Sequence, residues 1–229
     1  MKVQKISDHI WSLGIWVVIP VHIWLVEEED GFTLVDAGIP MMAKGIGKAI
    51  QEIGAGLKPL KQVLLTHGHS DHVGAILKLR EAHPDVPVYV HRLELPHMEG
   101  RQPYPGRKKA AASLPPGLAQ PLPESADGSL LPVSGLTPYH TPGHAPGHVA
   151  YYHEADRVLL AGDLFTSRRG RLHRPMPMFT ADMSEAFRSG AIIRELRPER
   201  LEVCHGASVI HPADHWDDYA RAMKAKYNV

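Results

Sequence analysis

Residues 1–36 carry short β-rich apolar runs broken by Gly14, Pro20 and the acidic stretch 27–30, which predicts several strands with a hairpin near 16–21. The period then changes. Met42, Ile46, Ala49, Ile50 and Ile53 recur at helical spacing across 41–53, and Gly54-Ala55-Gly56 followed by Pro59 ends that helix. Residues 63–65 read as a strand, 73–82 as a helix with Val73, Ile76, Leu77 and Leu79 apolar, and 86–90 as a short strand. In the second half, Tyr151-Tyr152 and 158–160 predict a hairpin around 154–156, and 181–196 and 212–226 predict helices. Strand-to-helix alternation thus occurs twice, once per half. That favours an α+β chain with αββα layering, two mixed sheets with helices outside, over one open parallel sheet.

Two segments depart from this pattern. Residues 95–135 hold eight prolines from Pro96 to Pro132, yet Met98, Tyr104 and Leu118 can pack. A loop of this length reads either as a lid or as a surface excursion. Residues 165–179 carry Arg168, Arg169, Arg171 and Arg174, then Met176, Met178 and Phe179. An anion-guiding role competes there with the commoner solvated arginine loop.

Composition narrows the classes. The 229 residues suit a single domain, 1–229, with a sizeable core. Lys+Arg and Asp+Glu are both 25, so no global field draws the chain to nucleic acid or an anionic membrane. One cysteine, Cys204, cannot form an internal disulfide, which fits a reducing, cytoplasmic setting. Strand alternation predicts that its side chain faces away from that of His205. Residues 11–26 are apolar but interrupted, with no basic start or cleavage site, so neither a signal peptide nor a spanning helix is expected.

The chemistry lies at the ends of the apolar runs. After Val63-Leu64-Leu65 comes His67-Gly68-His69-Ser70-Asp71-His72, and in a chain with 16 histidines this pattern arises by chance on the order of a few times in a thousand. Partners of the same type recur downstream: His144 in Thr141-Pro142-Gly143-His144, Asp163 after Val158-Leu159-Leu160, and His205 after Leu201-Glu202-Val203. Imidazole and carboxylate suit a borderline ion such as zinc, and seven donors are too many for one tetrahedral ion. Two ions sharing a bridging water would use them.

This order of residues, with Leu34-Val35-Asp36-Ala37-Gly38 before it, resembles the metallo-β-lactamase superfamily of binuclear hydrolases over most of the chain. The resemblance implies a sandwich of two β-sheets with helices outside and a metal site on one edge. It assigns His67, His69 and His144 to a first ion, Asp71, His72 and His205 to a second, and Asp163 to a bridge. Asp36 would stand behind the ligands, and Trp16 and His22 would border the substrate pocket; His148, four residues after His144, is expected behind the ligands or in a structural role because the ligand count is already full. Phe165, Met176, Met178 and Phe179 follow Asp163 closely and complete the expected pocket wall.

In zinc β-lactamases of this family the Asp163 position is usually a cysteine and the motif lacks the final His, so antibiotic hydrolysis is disfavoured. His69, where flavo-diiron relatives often carry Glu, favours hydrolysis over oxygen or nitric oxide reduction. The expected cofactors are two divalent ions, zinc first, iron or manganese as alternatives. The expected reaction is attack of a metal-activated hydroxide on an ester, thioester or lactone, with Asp71 as the catalytic carboxylate that orients the hydroxide and passes its proton to the leaving group. The segment 144–148 looks like that of acyl homoserine lactone lactonases, and the ligand set equally resembles hydroxyacylglutathione hydrolases (glyoxalase II-like). Gly-x-Ser-x-Gly is absent, so a serine hydrolase has no support. Competing readings are a ribonuclease Z-like phosphodiesterase and a mononuclear-iron persulfide dioxygenase. The expected partner is a small acyl substrate, without nucleic acid or membrane.

Overall fold

The apolar runs of the N-terminal third form a β-meander. β1 (Lys2–Lys5), β2 (Ile10–Trp16), β3 (Pro20–Glu27) and β4 (Phe32–Val35) pair antiparallel in sequence order, with Leu13 opposite Ile23 and Trp24 opposite Val35. The computed structural model describes residues 1–227. They fall into two compact units, one of Met1–Pro103 with Lys109–Leu122, the other of Tyr104–Lys108 with the chain from Pro123 onward.

The first unit continues through α1 (Ala43–Ile53), β5 (Leu60–Leu64), α2 (Ser70–Val73), α3 (Ile76–Ala82), β6 (Val88–Val90), α4 (Leu95–Met98) and β7 (Gln120–Pro121). β4 to β7 are parallel neighbours, so the seven-stranded sheet is antiparallel on one side and parallel on the other. β4 sits at the switch and is buried at all four positions, as an interior strand should be. α1 buries Ile46, Ala49 and Ile50 and turns its Lys48–Glu52 pair to solvent. It stops at Gly54, where a Cβ would lie 2.8 Å from the Phe32 ring.

The second unit holds β8 (Leu136–His140), β9 (Val149–His153), β10 (Val158–Leu160), the two-stranded ribbon of β11 (Thr166–Arg168) and β12 (Arg171–His173), α5 (Met183–Gly190), α6 (Ile192–Leu196), β13 (Arg200–Glu202), β14 (Val209–Ile210) and α7 (Trp216–Tyr227). Its sheet runs β14-β13-β10-β9-β8, parallel only at β10–β13. Phe165, Ile193, Leu201, Trp216 and Tyr219 anchor its core, with Phe187 stacked on Trp216 at 5.4 Å. Mixed sheets with helices in each unit give the expected α+β class.

The differences from the sequence reading are local. The helix expected at 73–82 is two helices, and Gly74 between them packs where a Cβ would meet the Gly38 carbonyl at 2.8 Å. The first of them starts at Ser70, which makes Asp71 and His72 helical. The helix expected at 181–196 breaks near Ala191, and that at 212–226 opens as a 3-10 turn, Pro212–His215. Parts of residues 95–135 are packed and paired. Met98 is fully buried and its carbonyl accepts the Ser113 and Leu114 amides at 2.8 and 3.1 Å, while β7 extends the first sheet. Among the described residues no helix is long and apolar enough to cross a membrane.

Candidate metal centre

The two units each assemble a set of metal-donor side chains. In the first, β4 and β5 end side by side, with the Asp36 amide bonded to the Leu64 carbonyl at 2.9 Å. Asp36 takes a left-handed backbone, φ 61°, and its carboxylate is fully buried. One oxygen accepts the Thr66 amide at 2.8 Å; the other accepts the Thr66 hydroxyl at 2.8 Å and lies 2.7 Å from His72 Nδ1. A carboxylate in that position draws the ring proton to Nδ1 and leaves Nε2 of His72 as the nitrogen able to bind a cation.

The same logic reaches His67. The single Thr66 hydroxyl proton goes to Asp36, so toward His67 Nδ1, 3.1 Å away, the hydroxyl accepts. His67 Nε2 then carries a lone pair, and His69 Nδ1 lies 2.9 Å from it. Two ring nitrogens at that separation share one proton or one cation. Gly68 between them is clamped on both sides: its amide donates to the buried Glu94 carboxylate at 2.9 Å and its carbonyl accepts the Ser113 hydroxyl at 2.7 Å. Asp71 lies in the first turn of α2 and is partly buried.

Thr66, Glu94 and Ser113 escaped the sequence reading. Glu94 offered one signal, an acid flanked by Leu93 and Leu95. Thr66 and Ser113 offered none, since hydroxyls become informative only once their partners are known.

In the second unit the donors come from three separate loops. His144 follows Gly143, whose φ of 126° and close approach to the Ala186 backbone admit only glycine. His144 Nδ1 lies 3.2 Å from the Thr180 hydroxyl, which donates to the Met176 carbonyl at 2.9 Å. Thr180 therefore accepts from His144 Nδ1, which makes Nε2 the His144 nitrogen that carries the lone pair. That nitrogen is 3.4 Å from Asp163 Oδ2, and His205 Nε2 is 3.5 Å from the same oxygen. Ligands about 2.0–2.1 Å from a zinc ion lie roughly 3.3–3.4 Å apart along a tetrahedral edge. One carboxylate oxygen at that distance from two imidazoles has the geometry of a shared metal ligand. His148 is committed on both nitrogens: Nε2 accepts the Asp163 amide at 3.1 Å and Nδ1 lies 2.9 Å from the Thr141 hydroxyl. It positions the turn that carries Asp163.

Two expectations are corrected. Cys204 does not face away: it is fully buried, and Asp163, Cys204 and His205 each place a ligand atom within 4.8 Å of the others. β13 ends at Glu202, so strand alternation no longer governs residue 204. Phe165 is not a pocket wall, because it is fully buried, edge-on to Tyr219 at 5.3 Å. The other pocket residues are placed differently. Trp16 tips the β2–β3 hairpin at 73% exposed, followed by exposed Val17 and Val18, and His22 lies beside Gly14 with Nδ1 3.2 Å from the Ser12 hydroxyl. Met178 is exposed, Phe179 lies under the Arg107 guanidinium at 5.3 Å, and Met176 is half-buried.

The donors fit a borderline divalent ion: imidazole nitrogens held in the required tautomer, plus carboxylate. Comparison with known proteins agrees. The model of the Lactamase_B family, described as the metallo-beta-lactamase superfamily, matches residues 16–225. A probable metallo-hydrolase of Bacillus subtilis (strain 168), YybB, is 36% identical over 223 residues, covering 96% of this chain and 97% of its own. The crystal structure of TTHA1623 in a di-iron-bound form is 30% identical, covers 94% of this chain and 96% of that one, and has a TM-score of 0.65. A metallo-beta-lactamase from Erythrobacter litoralis, with beta mercaptoethanol in its active site, superposes at a TM-score of 0.75 over 96% of both chains at 17% identity, a likeness of fold.

Proposed function

Since the chain belongs to the metallo-beta-lactamase superfamily, we propose that it is a binuclear metal-dependent hydrolase of neutral esters, thioesters or lactones. His67, His69, Asp71, His72, His144, Asp163 and His205 would hold two divalent ions. The observation that carries this reading is the approach of His144 and His205 to one oxygen of Asp163 at ligand-edge distances. Bound ions would supply Lewis acidity that polarises a carbonyl and lowers the pKa of water toward ~7.

The chain's own residues supply the rest. Asp36 and Thr66 hold His67 and His72 in the tautomer that presents Nε2, so no proton has to be moved to admit a cation. Thr180 does the same for His144. Asp71, on the first turn of α2, is the carboxylate assigned to orient the attacking water and return its proton to the leaving oxygen or sulfur. The exposed apolar tip of the β2–β3 hairpin, with Trp16 and Val18, and the exposed Met178 offer adaptable surface for an acyl group. Zinc suits the donors, and the di-iron form of TTHA1623 keeps iron among the metals to be tried.

The test is an activity panel on protein reloaded in turn with zinc, iron and manganese, using an aryl ester, a γ-lactone, a thioester, a phosphodiester and a β-lactam. We expect ester or lactone turnover to lead and β-lactam turnover to be weak or absent. Phosphodiester turnover far above the rest, lost in Arg168→Ala/Arg169→Ala, would replace this reading with the nuclease-like one. Oxygen consumption with one iron per chain would replace it with the dioxygenase.

A further inference from the structure

The second unit contains a cavity of about 270 Å³ between β12 and α7, and none of the seven proposed metal donors lines it. Its walls bring together Arg171, Arg174 and Lys226 against a single carboxylate, Asp218. The Arg171–Asp218 pair, at 3.5 Å and largely exposed on both sides, leaves that excess of positive charge in place. Leu172 and Met223 contribute apolar wall. Two residues that line this cavity carry an unusual polar atom. Among the described residues, Tyr219 Oη and His215 Nδ1 are both buried without a hydrogen-bond partner, although both residues line the cavity. Tyr219 is only 5% exposed. A buried polar group is ordinarily paired, so an orphan of this kind asks for an explanation.

We propose that this cavity binds a small organic oxyanion, a carboxylate or phosphate ester attached to a compact apolar body. The cations attract the anionic end, and the Tyr219 hydroxyl and the His215 ring supply hydrogen bonds that the protein leaves unused. Burial pushes the Tyr219 phenol far above its usual range, so it remains a donor at neutral pH. His173, also on this wall, is held below the usual imidazole range by burial and then by the neighbouring Arg174 charge, as expected in positive surroundings. Arg174 is already oriented, hydrogen-bonded to the Tyr227 hydroxyl with its guanidinium 5.7 Å from that ring. The volume lies just below the range of drug-sized sites, which limits the ligand to a small one.

The experiment is titration of the intact protein with phenyl phosphate, benzoate, inorganic phosphate and neutral benzyl alcohol, followed by calorimetry and by amide shifts on α7. Saturable binding of phenyl phosphate or benzoate, with benzyl alcohol silent, is expected. Arg174→Gln should weaken it roughly tenfold, as loss of a charge-assisted hydrogen bond does. Tyr219→Phe keeps the ring packing and provides the second arm: the unliganded variant should melt no lower than the parent, yet bind the anion several-fold more weakly. No saturable binding at millimolar phenyl phosphate overturns the proposal. So does equal affinity in both variants, or a Tyr219→Phe protein that melts well below the parent, since the hydroxyl would then already be satisfied.

Discussion

The two donor sets are built on different plans. In the first unit His67, His69, Asp71 and His72 come from one stretch of six residues, and their support includes two distant buried carboxylates, Asp36 and Glu94, beside the Thr66 and Ser113 hydroxyls. In the second unit His144, Asp163 and His205 come from three loops, and their support is neutral, from Thr180 and His148. Of the contiguous motif only Asp71 and His72 lie on the short helix α2, and there a charged group, Asp36, orients the His72 ring from behind. Scattered loops are already fixed by strands β8, β10 and β13, and a hydroxyl or a ring suffices. The first set should therefore be more sensitive to loss of its support than the second, while the second should depend more on its one shared ligand.

The largest effect is expected at that shared ligand. Asp163→Asn removes the charge that two histidines approach, and metal affinity should fall by more than the ~10–100-fold typical of losing a supporting group. Metal analysis after dialysis measures this. Asp36→Asn comes next: it puts an amide where only acceptors fit, and we expect ~10–100-fold weaker metal binding with a lower melting temperature. Thr180→Val removes one neutral hydrogen bond to His144 and should cost only a few-fold in the same assay. If Thr180→Val proves as damaging as Asp36→Asn, the distinction between charged and neutral support fails.

The smallest effect lies outside both sets and calibrates them. A hydrogen bond from Lys58, 2.8 Å away, holds the Glu27 carboxyl below its usual range. A carboxyl with a lowered folded pKa stabilises the fold above its unfolded pKa, and that contribution disappears as pH falls through the folded value. Lys58→Ala should thus cost at most about 1 kcal/mol at neutral pH, because the pair is partly exposed. The gap from the parent in urea unfolding should close in acid. A gap that widens there would reverse the sign of this account.

The contrast also explains what the sequence made legible. The His67–His72 motif stands out in the sequence because its candidate donors are neighbours in the chain, and His144, Asp163 and His205 because each follows an apolar run. The mixed α+β class followed from the change of hydrophobic period between strands and helices. Cys204 was misread because β13 stops at Glu202, one residue before its apolar run ends. Phe165 was misread because proximity to Asp163 in sequence says nothing of which way a ring turns; here it turns into the core with Tyr219. Glu94 and Ser113 were missed because they act on Gly68 from 26 and 45 residues away.

The central proposal is that the seven candidate donors would hold two divalent ions per chain. Its most direct test is metal titration of chelator-stripped protein, with bound metal counted per chain for the parent and for His144→Ala/His205→Ala. The account predicts two divalent ions per chain in the parent and loss of both tight sites in the double variant. One ion per chain in the parent, or two that survive removal of both histidines, would contradict it.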